Sequence, residues 1–227
     1  MARQRMMQRF ARWHTWLGWA VGLPILMWAV TGLVMVARPI EEVRGDHLRA
    51  AHAAIDPAGL AFPNVGEPVH EARLAWHPDG PQWLVTAADG RRWRYSARTG
   101  AALSPVVEAE ARRIAEASYA GKAELEGVAY LAPDAVPVEA RSSGAVWQAR
   151  FADGTHVYID DATGEVVALR TGQWRLYDFM WGLHIMDPGT REDTHNPFVI
   201  GFAVLATFGA LLGCVLLFRR RKARVKA

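Results

Sequence analysis

The sequence predicts a membrane α+β protein, in which two transmembrane helices flank an exported domain made of a helix and an antiparallel sheet. Three observations predict it. The chain has two long uncharged apolar runs, its basic residues crowd into two short tails, and between the runs a helical pattern is followed by short strand-like segments.

Residues 1–15 form a basic tail with Arg3, Arg5, Arg9 and Arg12 and no acid. The first run, residues 16–37, reads WLGWAVGLPILMWAVTGLVMVA, 22 residues without a charge. At about 1.5 Å of helical rise per residue it extends roughly 33 Å, enough for a bilayer core of about 30 Å. It is too long for the apolar core of a signal peptide, and Arg38-Pro39 makes a poor cleavage site, so it reads as a retained anchor. Pro24 removes one helical hydrogen bond and predicts a kink. The second run, residues 197–218, is PFVIGFAVLATFGALLGCVLLF, again 22 residues without a charge. Residues 219–227 are a second basic tail, with six cations and no acid.

The tails hold ten of the 26 basic residues, so the middle keeps 16 against all 23 acids and is acidic. Basic flanks stay in the cytoplasm. This places both termini there and residues 38–196 in the periplasm, with the protein in a bacterial inner membrane. The pI of about 9.3 therefore reflects anchoring tails facing lipid, with no nucleic acid as partner. Cys214, the single cysteine, lies in the second run, so the exported part has neither a disulfide nor a CxxC pair.

Gly18 and Gly22 in the first run, and Gly209 and Gly213 in the second, are pairs of small residues four apart. The two pairs fall at similar depth on the cytoplasmic side, which predicts close helix packing within one chain or across a homodimer.

Residues 104–172 read as one unit. Ser104 and Pro105 suit the N-cap and first turn of a helix whose buried face is Val107, Ala111, Ile114, Ala115 and Ser118, ending at Gly121. The runs ELEGVAYLA, VWQARFA, THVYIDD and EVVALRT follow as strands, with Asp153-Gly154 and Thr163-Gly164 as hairpin turns. Residues 38–103 contain a degenerate copy. With an offset of 64, the 22 residues from Trp83 match those from Trp147 at six positions: a Trp, an Ala, an Asp-Gly and a Thr-Gly. Residues 55–70 are rich in Pro and Gly, so this copy lacks a full helix.

The helix followed by DGTHVYIDDATGEVV resembles a PepSY domain, and the flanking WHTWLGWAVGLPILMWAVTGL and LHIMDPGTR…NPFVIGFAVLATFGALLGCVLLF resemble the PepSY-associated membrane helices. The resemblance covers most of the chain. Larger relatives with four membrane helices include inner-membrane ferrisiderophore reductases, some of which bind b-type haem. It thus implies a PepSY-like periplasmic domain and haem b as cofactor. It also implies electron transfer to a periplasmic ferric siderophore in iron uptake, as an oxidoreductase or its subunit. The alternative is of a different class: a non-enzymatic tethered PepSY module that binds or regulates a periplasmic protein.

His47, His52, His70, His77 and His156 show no metal-binding spacing, and no GxSxG, P-loop or GxGxxG stands in a suitable context. His14, His184 and His195 flank the membrane runs. His14 and His184 match the leading His and the "LH" element of the family and are the implied haem-iron ligands, with His195 as an alternative partner of His184. Each also has a plainer reading as a wet interfacial residue. Trp174, Tyr177, Trp181 and His184 fall on one face of a helix within residues 173–196, as on a bilayer surface. His14 and His184 lie near opposite membrane faces and cannot share one iron. Sites would form from His184 with His195, or from each histidine with its twin in a homodimer or with a partner membrane subunit. Asp178 and Asp187 are the acceptors near enough in sequence to orient the His184 ring. With no nicotinamide or flavin domain, electrons would come from a quinol or another protein.

Overall fold

The computed structural model describes residues 2–224; the side chains of residues 2, 3 and 219–224 lie outside the described set, and with them the cations of the second tail. Its backbone falls into two units. Residues 1–38 and 176–227 form one, and residues 39–175 form the other.

In the first unit, α1 (Ala2–Val36) and α5 (Pro197–Arg224) are both long and apolar enough to cross a membrane. α1 starts well before the uncharged run, so the basic tail of residues 4–15 is helical, and the helix continues through Pro24. The helices run antiparallel. Gly209 faces Leu17, and Gly213 faces His14 one turn further along. The predicted small-residue packing is therefore one-sided within the chain: a Cβ on Gly18 or Gly22 would meet nothing within 4 Å. α4 (Gly172–His184) leads into a loop whose last residue, Asn196, caps α5. The Asn196 side chain accepts from the Val199 amide (3.1 Å) and donates to the Ile185 carbonyl (2.7 Å).

The second unit begins with α2 (Ile40–Arg44) and holds two antiparallel sheets, β1 (Val69–Ala75), β2 (Gln82–Ala87) and β3 (Arg92–Ser96), then β4 (Leu125–Leu131), β5 (Val146–Phe151), β6 (His156–Asp160) and β7 (Val166–Arg170). Between them lies α3 (Glu108–Ser118). Its face of Ala111, Ile114 and Ala115 packs on Ala149, Phe151, Val157, Ile159 and Leu169 to form the main core.

The sequence repeat is also a repeat of hydrogen-bond register. Leu84 pairs with Arg94 as Gln148 pairs with Tyr158, and Trp83 with Tyr95 as Trp147 with Ile159. Even the register shift is shared, between Val69 and Glu71 in β1 and between Leu125 and Gly127 in β4. The counterpart of β7 has shrunk to a single bridge, Tyr95 to Ala102, where the second copy pairs Ile159 with Val166. The turn glycines Gly90 and Gly154 (φ 86° and 78°), and Gly100 and Gly164 (φ 71° and 73°), all sit in the left-handed region. The copies differ in the connection between their first two strands, residues 76–81 against the much longer 132–145. In the second copy that segment folds back, and Ala140 and Val136 pack on Val146, Tyr158 and Ala168.

The helix expected from Ser104 starts later. Residues 104–107 stay extended because the sheet holds them: the Val106 amide donates to the Asp161 carbonyl (2.8 Å), the Trp147 indole donates to the Val106 carbonyl (3.1 Å), and Arg94 takes the Ser104 carbonyl. Val107 becomes the N-cap without a side-chain cap and is 60% exposed, not part of the buried face. The helix also ends before Gly121. Tyr119 is extended and bridges Arg49, and the Ala50 amide takes the Ser118 carbonyl (3.0 Å).

Candidate functional site

His184 ends α4, and α1 builds its surroundings. Trp28 donates from its indole to the His184 carbonyl (2.8 Å), closing a free C-terminal acceptor of α4. Thr31, one turn on, places Oγ1 2.8 Å from His184 Nδ1, and Gly32 lies under the ring edge. The Thr31 hydroxyl donates its one proton back to the Met27 carbonyl (2.8 Å), so it accepts from Nδ1–H. Nδ1 is thus the protonated donor, and among the described residues no hydrogen bond involves Nε2.

His14 is held the same way. Its Nδ1 is 3.0 Å from the Gly209 carbonyl, which only accepts, so Nδ1 again bears the proton. The ring occupies a notch above Gly213, where a Cβ would stand 3.0 Å from Cε1. Both imidazoles therefore have the arrangement expected of a metal-ligating histidine: the second ring nitrogen donates to a fixed acceptor, which sets tautomer and orientation. They stand at two levels. Thr31 lies 17 residues beyond His14 on α1, about 26 Å at helical rise.

The acids considered for orienting His184 are used elsewhere. Asp178, 4% exposed, binds Arg191 Nη1 at 2.5 Å. Asp187 accepts from the Thr190 hydroxyl and from the amides of Thr190 (3.1 Å), Glu192 (3.1 Å) and Asp193 (3.2 Å). The Thr190 hydrogen bond, then the amides, hold its carboxyl well below the usual carboxylate range. Arg191 crosses close over Gly182, and its carbonyl accepts the Trp181 indole (3.2 Å). The stripe Trp174–Tyr177–Trp181–His184 is partly buried, and the exposed apolar residues of α4 are Leu176 and Phe179. His195 is exposed in the loop; among the described residues no hydrogen bond or ring contact joins it to His184. The sequence reading missed Thr31, although it stands in the quoted TG of the first run; its partner is 153 residues away.

Two polar clusters lie in the second unit. Glu139 accepts from Tyr158 (2.5 Å) and lies 2.9 Å from His156 Nδ1, with Arg175 alongside. Burial pushes its carboxyl up, but the hydrogen bonds from His156 and Tyr158 and the Arg175 charge outweigh that and bring it to about 2. In the other, buried Arg94 grips Glu110 with both Nη atoms (2.5 and 2.7 Å), and His77 Nε2 is 3.1 Å from Glu110 Oε1, at an oblique angle. Burial again raises the Glu110 carboxyl, and the nearby His77 and the hydrogen-bonded Arg94 lower it to about 2. Asp79 completes the trio and is paired with Arg113 (2.8 Å). The trio has metal-like proximity that no sequence spacing announced. However, His77 Nδ1 accepts the Asp79 amide (3.1 Å), so the neutral ring's proton sits on Nε2. With Arg94 on Glu110 and Arg113 on Asp79, the trio is tied into an ion-pair network.

The model of the PepSY-associated TM region matches residues 11–227. The chain belongs to the PepSY-associated transmembrane family. No curated protein and no solved structure matches it. Family membership and the two apolar helices make it a membrane protein with an α+β extramembranous unit. Within this family member, His14 and His184, the two histidines matched to the family by resemblance, now have defined contacts.

Proposed function

We propose that this PepSY-associated protein is a haem-binding membrane component of electron transfer, acting on ferric complexes outside the inner membrane. The observation that carries the reading is the pair of imidazoles, each held through Nδ1 with Nε2 left to bind, at two levels about 26 Å apart along α1. The donor set fits b-type haem, which supplies one-electron chemistry when bound. His184 would ligate near one membrane face and His14 near the other. Each level offers one imidazole per chain, so a second copy or a partner membrane subunit supplies the other. The uncovered face at Gly18 and Gly22 is available for that association. Thr31 and the Gly209 carbonyl keep the rings oriented. An apolar groove of about 320 Å³ between Leu23, Pro24, Met27, Leu183 and Met186 suits a lipid-soluble donor such as a quinol. The basic tails support cytoplasmic termini and a periplasmic middle unit.

Membranes from overexpressing cells test this directly. A Soret band and a dithionite-reduced α band above background are expected. His184→Ala and His14→Ala should each remove about half of the haem if both levels are filled, while His195→Ala leaves loading unchanged. Absence of haem in the parent overturns the reading and leaves the tethered, partner-binding module.

A further inference from the structure

The two sheets share register, yet one face is packed with apolar side chains in the second copy and carries polar ones beside a cleft in the first. In the second copy, Val146 and Tyr158 on that face are sealed by the long β4–β5 segment. In the first, the counterparts are the polar side chains Gln82 and Arg94, next to Ser96, themselves buried, and the short β1–β2 connection brings only Asp79, Gly80 and Pro81 beside them. They line a cleft of about 360 Å³, walled by Leu103, Pro105 and Val107. Gln82 is 5% exposed, and its Oε1 is buried with no hydrogen-bond partner. A buried acceptor left in that state is costly and calls for a donor. Of the arginines lining the cleft, Arg94 and Arg113 each hold their own carboxylate. Arg98 is exposed and has no ion pair or hydrogen bond among the described residues, and its Nε lies 3.7 Å from where a Gly80 Cβ would stand, on the cleft wall.

We propose that this cleft binds the C-terminal residue of a peptide. The terminal carboxylate pairs with Arg98, the terminal amide N–H donates to Gln82 Oε1, and an aliphatic side chain packs against Leu103, Pro105 and Val107. The volume lies within the range of small-ligand pockets, about 300–1,000 Å³, and suits one or two residues. Carboxylate capture of this kind is a known recognition mode. The site shares no residue with the membrane histidines and stands whether or not haem is bound.

The test is calorimetry on the full chain in detergent, with acetyl-Ala-Ala-Leu, its C-terminal amide and free leucine as probes. The acid should bind with a Kd of roughly 1 mM or tighter, and the amide about tenfold more weakly. Arg98→Ala should cost the acid the same factor, because that side chain supports no other contact. Gln82→Met should lose binding without lowering the Tm of the unliganded protein, since it removes a buried acceptor that had no partner. Leucine binding as tightly as the tripeptide would keep the carboxylate site but assign it to free amino acids, overturning the peptide assignment. Equal binding of acid and amide, unchanged binding in Arg98→Ala, or no heat from any probe would overturn the site itself.

Discussion

Thr31 Oγ1 accepts a hydrogen bond from Nδ1 of His184 at 2.8 Å, so a threonine inside one apolar helix sets the tautomer of a histidine 153 residues away. That contact is the most direct handle on the proposed haem site. Thr31→Val keeps the shape and removes the acceptor, whereas Thr31→Ser keeps it. Haem affinity at the His184 level should fall by about 10- to 100-fold in the valine variant and hold in the serine variant. Titration of the apoprotein with haem, read at the Soret band, checks both.

The glycines separate by function. Gly213→Ala places a methyl 3.0 Å from His14 Cε1, so the ring must shift from its notch and the haem bound at that level should drop. A Cβ on Gly22 would meet nothing within 4 Å in the chain, so Gly22→Leu should leave monomer folding intact. If the second copy docks on that face, it will instead lower the dimer fraction in detergent, measured by sedimentation. A parent-like dimer fraction in Gly22→Leu removes that face from the association.

Much of this was legible in the sequence, and the failures share a cause. The apolar runs, the four strands after α3 and the Asp-Gly and Thr-Gly turns could be read because each depends on neighbouring residues: period, propensity and positive φ. The start of α3 was misplaced because Val106 and Ser104 are bound by residues elsewhere in the chain, outweighing a good local N-cap signal. Asp178 and Asp187 looked suitable for His184 by proximity, yet Arg191 and the loop amides claim them. The cleft was invisible for the same reason: Gln82, Arg94 and Ser96 share a face only through strand alternation and cross-strand pairing.

Acid should weaken the second unit through Glu110 and Glu139. Both carboxyls are lowered from 4.5 to about 2 in the folded state. The unfolded chain therefore takes up these protons at higher pH than the folded one. Their stabilisation is complete above about pH 4.5 and is lost as pH falls toward 2. Thermal melts followed by circular dichroism should show Tm falling across that window. Glu139→Gln should lower Tm at pH 7 and flatten the decline, and an unchanged slope would refute the assignment.

Reporter fusions settle orientation. A fusion at residue 227 should give a cytoplasmic signal and one at residue 120 a periplasmic signal, because the two terminal tails carry ten cations and no acids. A periplasmic signal at the C-terminus would reverse the placement of the cleft and of His184.

The shared register gives the chain an internal reference. Trp83 and Trp147 hold matched positions on matched strands, and each indole donates to a main-chain carbonyl, Ala61 at 3.0 Å and Val106 at 3.1 Å. Only Trp147 belongs to the core that α3 covers. The same truncation made at both positions therefore compares one side chain with and without a helix laid across it. The polypeptide carries its own comparison, and the difference between the two melting shifts combines what that helix and the Asp161 hydrogen bond add to a sheet.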